Sequence, residues 1–106
     1  MRKSCNNMEM EADFNKYKDK RLQKFLEGYR VREFQAFEKQ LQKRLLILEY
    51  AQSQDDLRIL PSNNFEALGG DRSGQFSIRI NKQWRLCFEW SLSENCPFNI
   101  EAVDYH

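Results

Sequence analysis

The sequence predicts an α+β fold with elements in the order β-α-α-β-β-β, its second helix long enough to lie across a small sheet. Three observations predict it. Phe76, Ile78 and Ile80 alternate with Ser77 and Arg79, while Trp84, Leu86, Phe88 and Trp90 alternate with Arg85, Cys87 and Glu89, the period of strands with one buried face. Val31, Phe34, Phe37, Leu41, Leu45 and Leu48 recur at spacings of three and four, the period of a helix with an apolar stripe. Phe98, Ile100 and Ala102 then resume the strand alternation near the C-terminus. A chain of 106 residues suits one domain with a small core, expected over residues 12–106.

In chain order, residues 1–11 are polar and read as a disordered leader. Ala12 to Lys18, with Phe14 and Tyr17, reads as a short strand. Asp19 is expected to cap a brief helix bearing Leu22, Phe25 and Leu26, closed by Gly28. The second helix should run from Val31 to the region of Ala51, with Glu33, Glu38, Lys39, Lys43 and Arg44 elsewhere around its wheel. Gln52 to Asn64 contains Asp55, Asp56, Pro61 and an Asn pair, so it reads as a loop, with Leu57, Ile59 and Leu60 as anchors on the core. Gly69, Gly70, Asp71, Arg72, Ser73 and Gly74 read as a tight turn in which Asp71 caps backbone N–H groups and holds Arg72. That glycine run lacks P-loop spacing and no helix follows it, so it is a weak phosphate cradle.

Parity fixes the hairpin. For both apolar sets to share a face, facing residue numbers must sum to an even number, since a one-residue slip turns every side chain over. Ile80 then faces Trp84 across the loop Asn81-Lys82-Gln83, and Arg79 becomes the direct neighbour of Arg85 on the other face. Like charges so placed are destabilising by a few tenths to about 1 kcal/mol. The pair therefore either awaits an anion or is solvated, or neutralised by Glu89 and Glu101. After a turn over Ser91 to Pro97, the third strand spans Phe98 to His106. The same parity puts Glu101 near Arg85 and Tyr105 on the arginine face. Asp104 and His106 would fall on the buried face, so the strand is expected to kink or end near Val103.

Composition narrows the setting. Residues 1–50 hold 12 Lys/Arg against 8 Asp/Glu and residues 51–106 hold 5 against 8, so the net +1 conceals a basic first half able to rest on a polyanion or to serve as a solvated helix surface. Cys5, Cys87 and Cys96 show no C-x-x-C spacing, which argues against a disulfide scaffold or a zinc site and for a reducing cytosol. No apolar run approaches ~20 residues, so no membrane span or signal peptide is expected.

Gly70-Asp71-Arg72, Ser77-Ile78-Arg79-Ile80-Asn81, Trp84-Arg85 and the terminal Asp104-Tyr105-His106, in this order and spacing, resemble the HigB branch of the RelE/ParE superfamily of type II toxin–antitoxin toxins. The resemblance spans Tyr17 to His106. It implies a compact α+β RelE-like domain with two helices packed on one face of a small, twisted, mainly antiparallel sheet, metal-independent cleavage of mRNA in the ribosomal 30S A site, no cofactor, a cytoplasmic location, and silencing by a HigA-like helix-turn-helix antitoxin. The implied catalytic residues are Arg85, His106, Tyr105, Asp104 and Glu66; Arg79, Arg72 and Lys82 are the cations expected to hold RNA phosphates. Two positions depart from the pattern: Glu66 stands where some relatives have histidine, and Gly69 where many have lysine.

Metal-free RNA cleavage needs a base for the 2′-hydroxyl, cations for the growing phosphate charge and an acid for the 5′ oxygen. Arg85 and Arg79 suit the second task, because guanidinium offers a planar fork that stays charged. Glu66, Asp104 and His106 are the proton-transfer candidates, with imidazole favoured by its reference pKa of about 6.5. A ParE-like gyrase poison and a degenerate toxin that only binds antitoxin are the alternatives.

Overall fold

The computed structural model describes residues 16–105 of the chain. The leader and Phe14 lie outside that range, as does His106. Three α-helices, α1 (Lys20–Leu26), α2 (Glu38–Tyr50) and α3 (Gln54–Ile59), precede a four-stranded sheet of β1 (Glu66–Ala67), β2 (Phe76–Arg79), β3 (Trp84–Ser91) and β4 (Cys96–Asp104). Its order is β1-β2-β3-β4 with every neighbouring pair antiparallel. The α+β architecture stands. The expected first strand is reduced, among the described residues, to one parallel bridge between Tyr17 and Ile100 at the outer edge of β4.

Asp19 caps α1 as its sequence position suggests, accepting a 2.9 Å hydrogen bond from the Arg21 amide. Gly28 follows the helix with φ +100°, a conformation that glycine adopts without a Cβ clash. The second helix is shorter than expected. Residues Arg32–Phe37 form a 3₁₀ segment, and Phe37 (φ −140°, ψ 35°) breaks it from α2. The reason is in the spacing. Val31, Phe34 and Phe37 recur every third residue, which aligns side chains along a 3₁₀ turn, whereas Leu41, Leu45 and Leu48 follow the α period. Phe34 and Phe37 thereby both reach Trp84, with centroids at 5.9 and 5.4 Å.

The expected loop after α2 contains α3. Ser53 accepts from the Asp56 amide at 3.3 Å while the Asp56 carboxylate accepts from the Gln52 amide at 2.9 Å, a reciprocal cap at the helix start. Of the three expected anchors only Leu57 is buried; Ile59 is 72% exposed and Leu60 42%. The buried anchor beyond it is Asn63, in the 3₁₀ turn Pro61–Asn63.

The hairpin register matches the parity argument: Phe76 faces Phe88, Ile78 faces Leu86, Arg79 faces Arg85, and the Ile80 amide bonds the Trp84 carbonyl at 2.9 Å. The third strand differs. A bulge between Cys87 and Glu89, with Asn99 at φ 52°, shifts the pairing so that Phe98 lies opposite Glu89 and leaves the core face. β4 also continues to Asp104, which costs nothing because that residue lies beyond the core edge and is exposed. The core gathers Leu41, Leu45 and Leu48 of α2 against Ile78, Leu86, Phe88, Ile100 and Ala102 of the sheet. Cys87 is buried and free, while Cys96 is disulfide-bonded, which corrects the reading of the cysteines at that position.

Candidate active site

The sheet face turned away from that core is polar, and the hairpin period puts Ser77, Arg79, Arg85 and Cys87 on it. Arg85 is its most constrained member. Its Nε donates to Ser77 Oγ at 2.8 Å and its Nη2 to the Asn64 carbonyl at 2.5 Å. Glu66 Oε1 lies 3.8 Å from Nη2, and the Cζ atom sits 5.9 Å from the Tyr105 ring centroid. Four segments thus surround one guanidinium: the turn before β1, β1 itself, β2 and the C-terminal tail.

Arg79 is the register partner of Arg85, yet its Nε donates at 3.1 Å to the Asn81 carbonyl, toward the hairpin loop. Neither arginine is neutralised as the sequence allowed: Glu89 accepts from Asn99, and Glu101 takes Arg72 rather than Arg85. The Arg72–Glu101 contact is 2.9 Å, with Gln75 as a second acceptor at 3.0 Å. That hydrogen bond, opposed by burial, raises the Arg72 pKa above its ordinary value. Asp71 neither holds Arg72 nor caps the turn with its side chain, and the turn closes through its own backbone, Arg72 and Ser73 amides to the Gly69 and Gly70 carbonyls.

Tyr105 lies against Cys87, with the two polar atoms 3.8 Å apart. Burial, then the contact with Cys87, pushes the phenol pKa up, while the charges of Arg72 and Arg85 pull the other way. The phenol is therefore a proton donor near neutrality, not a phenolate base. Burial likewise raises the Cys87 thiol. Asp104 stands apart from Arg85 and accepts from Gln83 Nε2 at 3.0 Å, and the Tyr105 amide bonds the Gln83 carbonyl at 2.6 Å. The tail is thus laced to the hairpin loop that carries exposed Lys82. Among the described residues no group of three His, Cys, Asp or Glu gathers to suit a metal ion.

The family model described as the RelE-like toxin of type II toxin–antitoxin system HigB matches residues 15–106. The chain belongs to this HigB-like toxin family. Toxin HigB-1 of Vibrio cholerae serotype O1 (strain ATCC 39315 / El Tor Inaba N16961) is 45% identical over 76 residues, which span 70% of this chain and 80% of that protein. As a HigB-like toxin of a type II system the chain has an antitoxin as partner. Among the described residues no helix is long and apolar enough to cross a membrane.

In this HigB-like toxin, then, Arg85, Glu66 and Tyr105 are neighbours. Arg72 joins them through the Cys87–Tyr105 side of the face, Arg79, Lys82 and Asp104 occupy the hairpin-loop end, and His106 is outside the described residues. Sequence reasoning missed Ser77 and Asn64, the two residues that orient Arg85. Ser77 was detectable as the small polar residue sharing the arginine phase of β2. Asn64 acts through its carbonyl, and only its place in an Asn pair hinted at the left-handed backbone (φ 46°) that aims it.

Proposed function

We propose that this toxin is a ribosome-dependent mRNA endonuclease that stops translation from the cytoplasm, with the 30S A site and its mRNA as target and a HigA-like helix-turn-helix protein as antitoxin. The observation that carries the reading is the setting of Arg85. A guanidinium oriented by two neutral acceptors, with Glu66 the one carboxylate near it among the described residues and at the loose distance of 3.8 Å, keeps charge available for a phosphate. Membership in the HigB-like family supports it further.

In this mechanism Arg85 neutralises the charge that grows on the phosphate, and Arg79, Arg72 and Lys82 steer the backbone. His106 moves the proton, Glu66 and Asp104 being the other candidate acid–base groups, and Tyr105 donates to the phosphate or stacks on a base. No step calls for a metal ion or other cofactor. Strain imposed on mRNA by the ribosome brings the 2′-hydroxyl into line, so free RNA is a poor substrate.

Brief induction followed by mapping of mRNA 5′ ends tests this. Cuts clustered within codons, abolished by Arg85→Ala and by deletion of His106, are expected. Intact message with broken chromosomes would instead indicate a gyrase poison, and neither effect would indicate a module that only binds antitoxin. Full growth arrest by both variants, folded as the parent is, would sink the proposed site.

A further inference from the structure

Arg44 stands three residues after Leu41 and four before Leu48, on the flank of the apolar stripe of α2, and is only 9% exposed. Its Nη1 donates to Asn63 Oδ1 at 2.6 Å and reaches Ser62 Oγ at 3.5 Å, while its Nε is buried with no partner. Asn63 is fully buried and passes the connection on, its Nδ2 donating to the Leu57 carbonyl at 3.0 Å. The next residue is Asn64, held left-handed, whose carbonyl takes Arg85 Nη2. An apolar side chain in place of Arg44 would leave the fully buried Asn63 Oδ1 without its donor, so the position of Asn63 depends on the arginine.

The structure assigns Arg44 as a positioning residue: through Asn63 it fixes the strap that carries Asn64, and the Asn64 carbonyl sets the direction of the Arg85 guanidinium. The inference rests on the nuclease reading only for its effect on rate. The geometric effect on Arg85 stands without it. Two contacts, Ser77 Oγ at Nε and Asn64 O at Nη2, fix the plane of the fork. Releasing the second lets the plane turn about the first. A misplacement of about 1 Å in a group that meets the transition state is worth roughly a hundredfold in rate.

The test uses the full chain, purified away from its antitoxin, with Arg44→Met, Arg44→Lys and Asn63→Asp. The direct readout is the Arg85 Nε–H resonance. It is expected to shift or broaden in Arg44→Met and to stay near the parent in Arg44→Lys, which keeps a charged donor. On programmed ribosomes Arg44→Met should lower kcat roughly ten- to a hundredfold with little change in KM. In an Arg85→Lys background, where no fork remains to be aimed, it should add nothing further.

Should Arg44→Met fail to fold, Asn63→Asp keeps an acceptor for Arg44 but loses the donation to Leu57, and the same resonance should move. An unmoved Arg85 signal in the folded variants overturns the proposal. So does a loss that adds in full to that of Arg85→Lys. If no version of the protein cuts RNA, the nuclease reading fails while the resonance still decides the relay.

Discussion

Arg85 has spent its Nε on Ser77 and one Nη2 hydrogen on Asn64, and it faces Tyr105 across 5.9 Å. A lysine at this position can supply a point charge but not a fork held at two points, so Arg85→Lys is expected to lose roughly two to three orders of magnitude of cleavage rate while folding normally. Single-turnover cleavage on programmed ribosomes measures it. Tyr105 leads to a different expectation. Because burial and Cys87 hold its phenol above the ordinary value, it stays protonated on the acid side of neutrality and cannot produce an inflection there. The acid limb of the pH–rate profile should therefore survive Tyr105→Phe and vanish with the group that does titrate in that range. Loss of the limb in Tyr105→Phe would remove His106 from the proton-transfer role.

At the scale of elements, α1 is fastened to β4 by one carboxylate. Asp19 accepts from the Arg21 amide, from the Arg21 guanidinium at 2.8 and 3.0 Å and from the Ala102 amide at 3.1 Å, while Arg21 also donates to the Ala102 carbonyl at 2.9 Å. Arg21 Cζ in turn lies 5.2 and 5.6 Å from the Phe34 and Trp84 rings, so the clamp reaches the aromatic cluster. Burial works against the charge of Asp19, but the hydrogen bonds from Arg21 and Ala102 outweigh it and hold the carboxyl below its ordinary value. A depressed carboxyl stabilises the fold above its unfolded pKa of about 3.9, and that contribution disappears as the pH falls through the folded value. Asp19→Asn keeps a cap but not the charge, so its stability deficit in denaturant titrations should be present at pH 7 and shrink toward zero in strong acid. A deficit that is constant across pH would mean that the charge plays no part.

The elements also show what was legible in the chain and why the rest was not. The hairpin register and the Arg79–Arg85 neighbours follow from side-chain parity alone, and Asp19 and Gly28 announced the ends of α1. The 3₁₀ break was present as an every-third-residue spacing of Val31, Phe34 and Phe37 but was hidden by the α period that follows it. Helix α3 carries one buried apolar residue, too few to reveal a period, and its cap Ser53 was overshadowed by Asp55, Asp56 and Pro61. The slip at Asn99 depends on a single left-handed residue. Arg44 was placed on the outside because a charge on a helix usually is; its partner, Asn63, lies 19 positions away and is found only in three dimensions.

At the scale of the whole molecule, the candidate site joins parts of unequal firmness. β3 is paired on both sides and its Leu86, Cys87 and Phe88 are fully buried, so Arg85 is rooted in a strand expected to open only with the fold itself. Glu66 belongs to a two-residue edge strand with both residues exposed, followed by a glycine-rich turn. Asn64, just before it, lies between Asn63, which is bonded to Arg44, and Phe65, which stacks on Phe76 at 5.6 Å. Amide exchange should separate the two parts. The Leu68 amide, bonded to the Gln75 carbonyl at 2.9 Å, is expected to exchange through local opening at least about a hundredfold faster than those of Leu86 and Phe88, which require global unfolding. Arg44→Met should speed exchange at Leu68 more than at Leu86, where only the change in global stability is felt, since its local effect travels through the strap and not through the sheet. Equal exchange at Leu68 and Leu86 in the parent would mean that the edge and the central strand open as one unit.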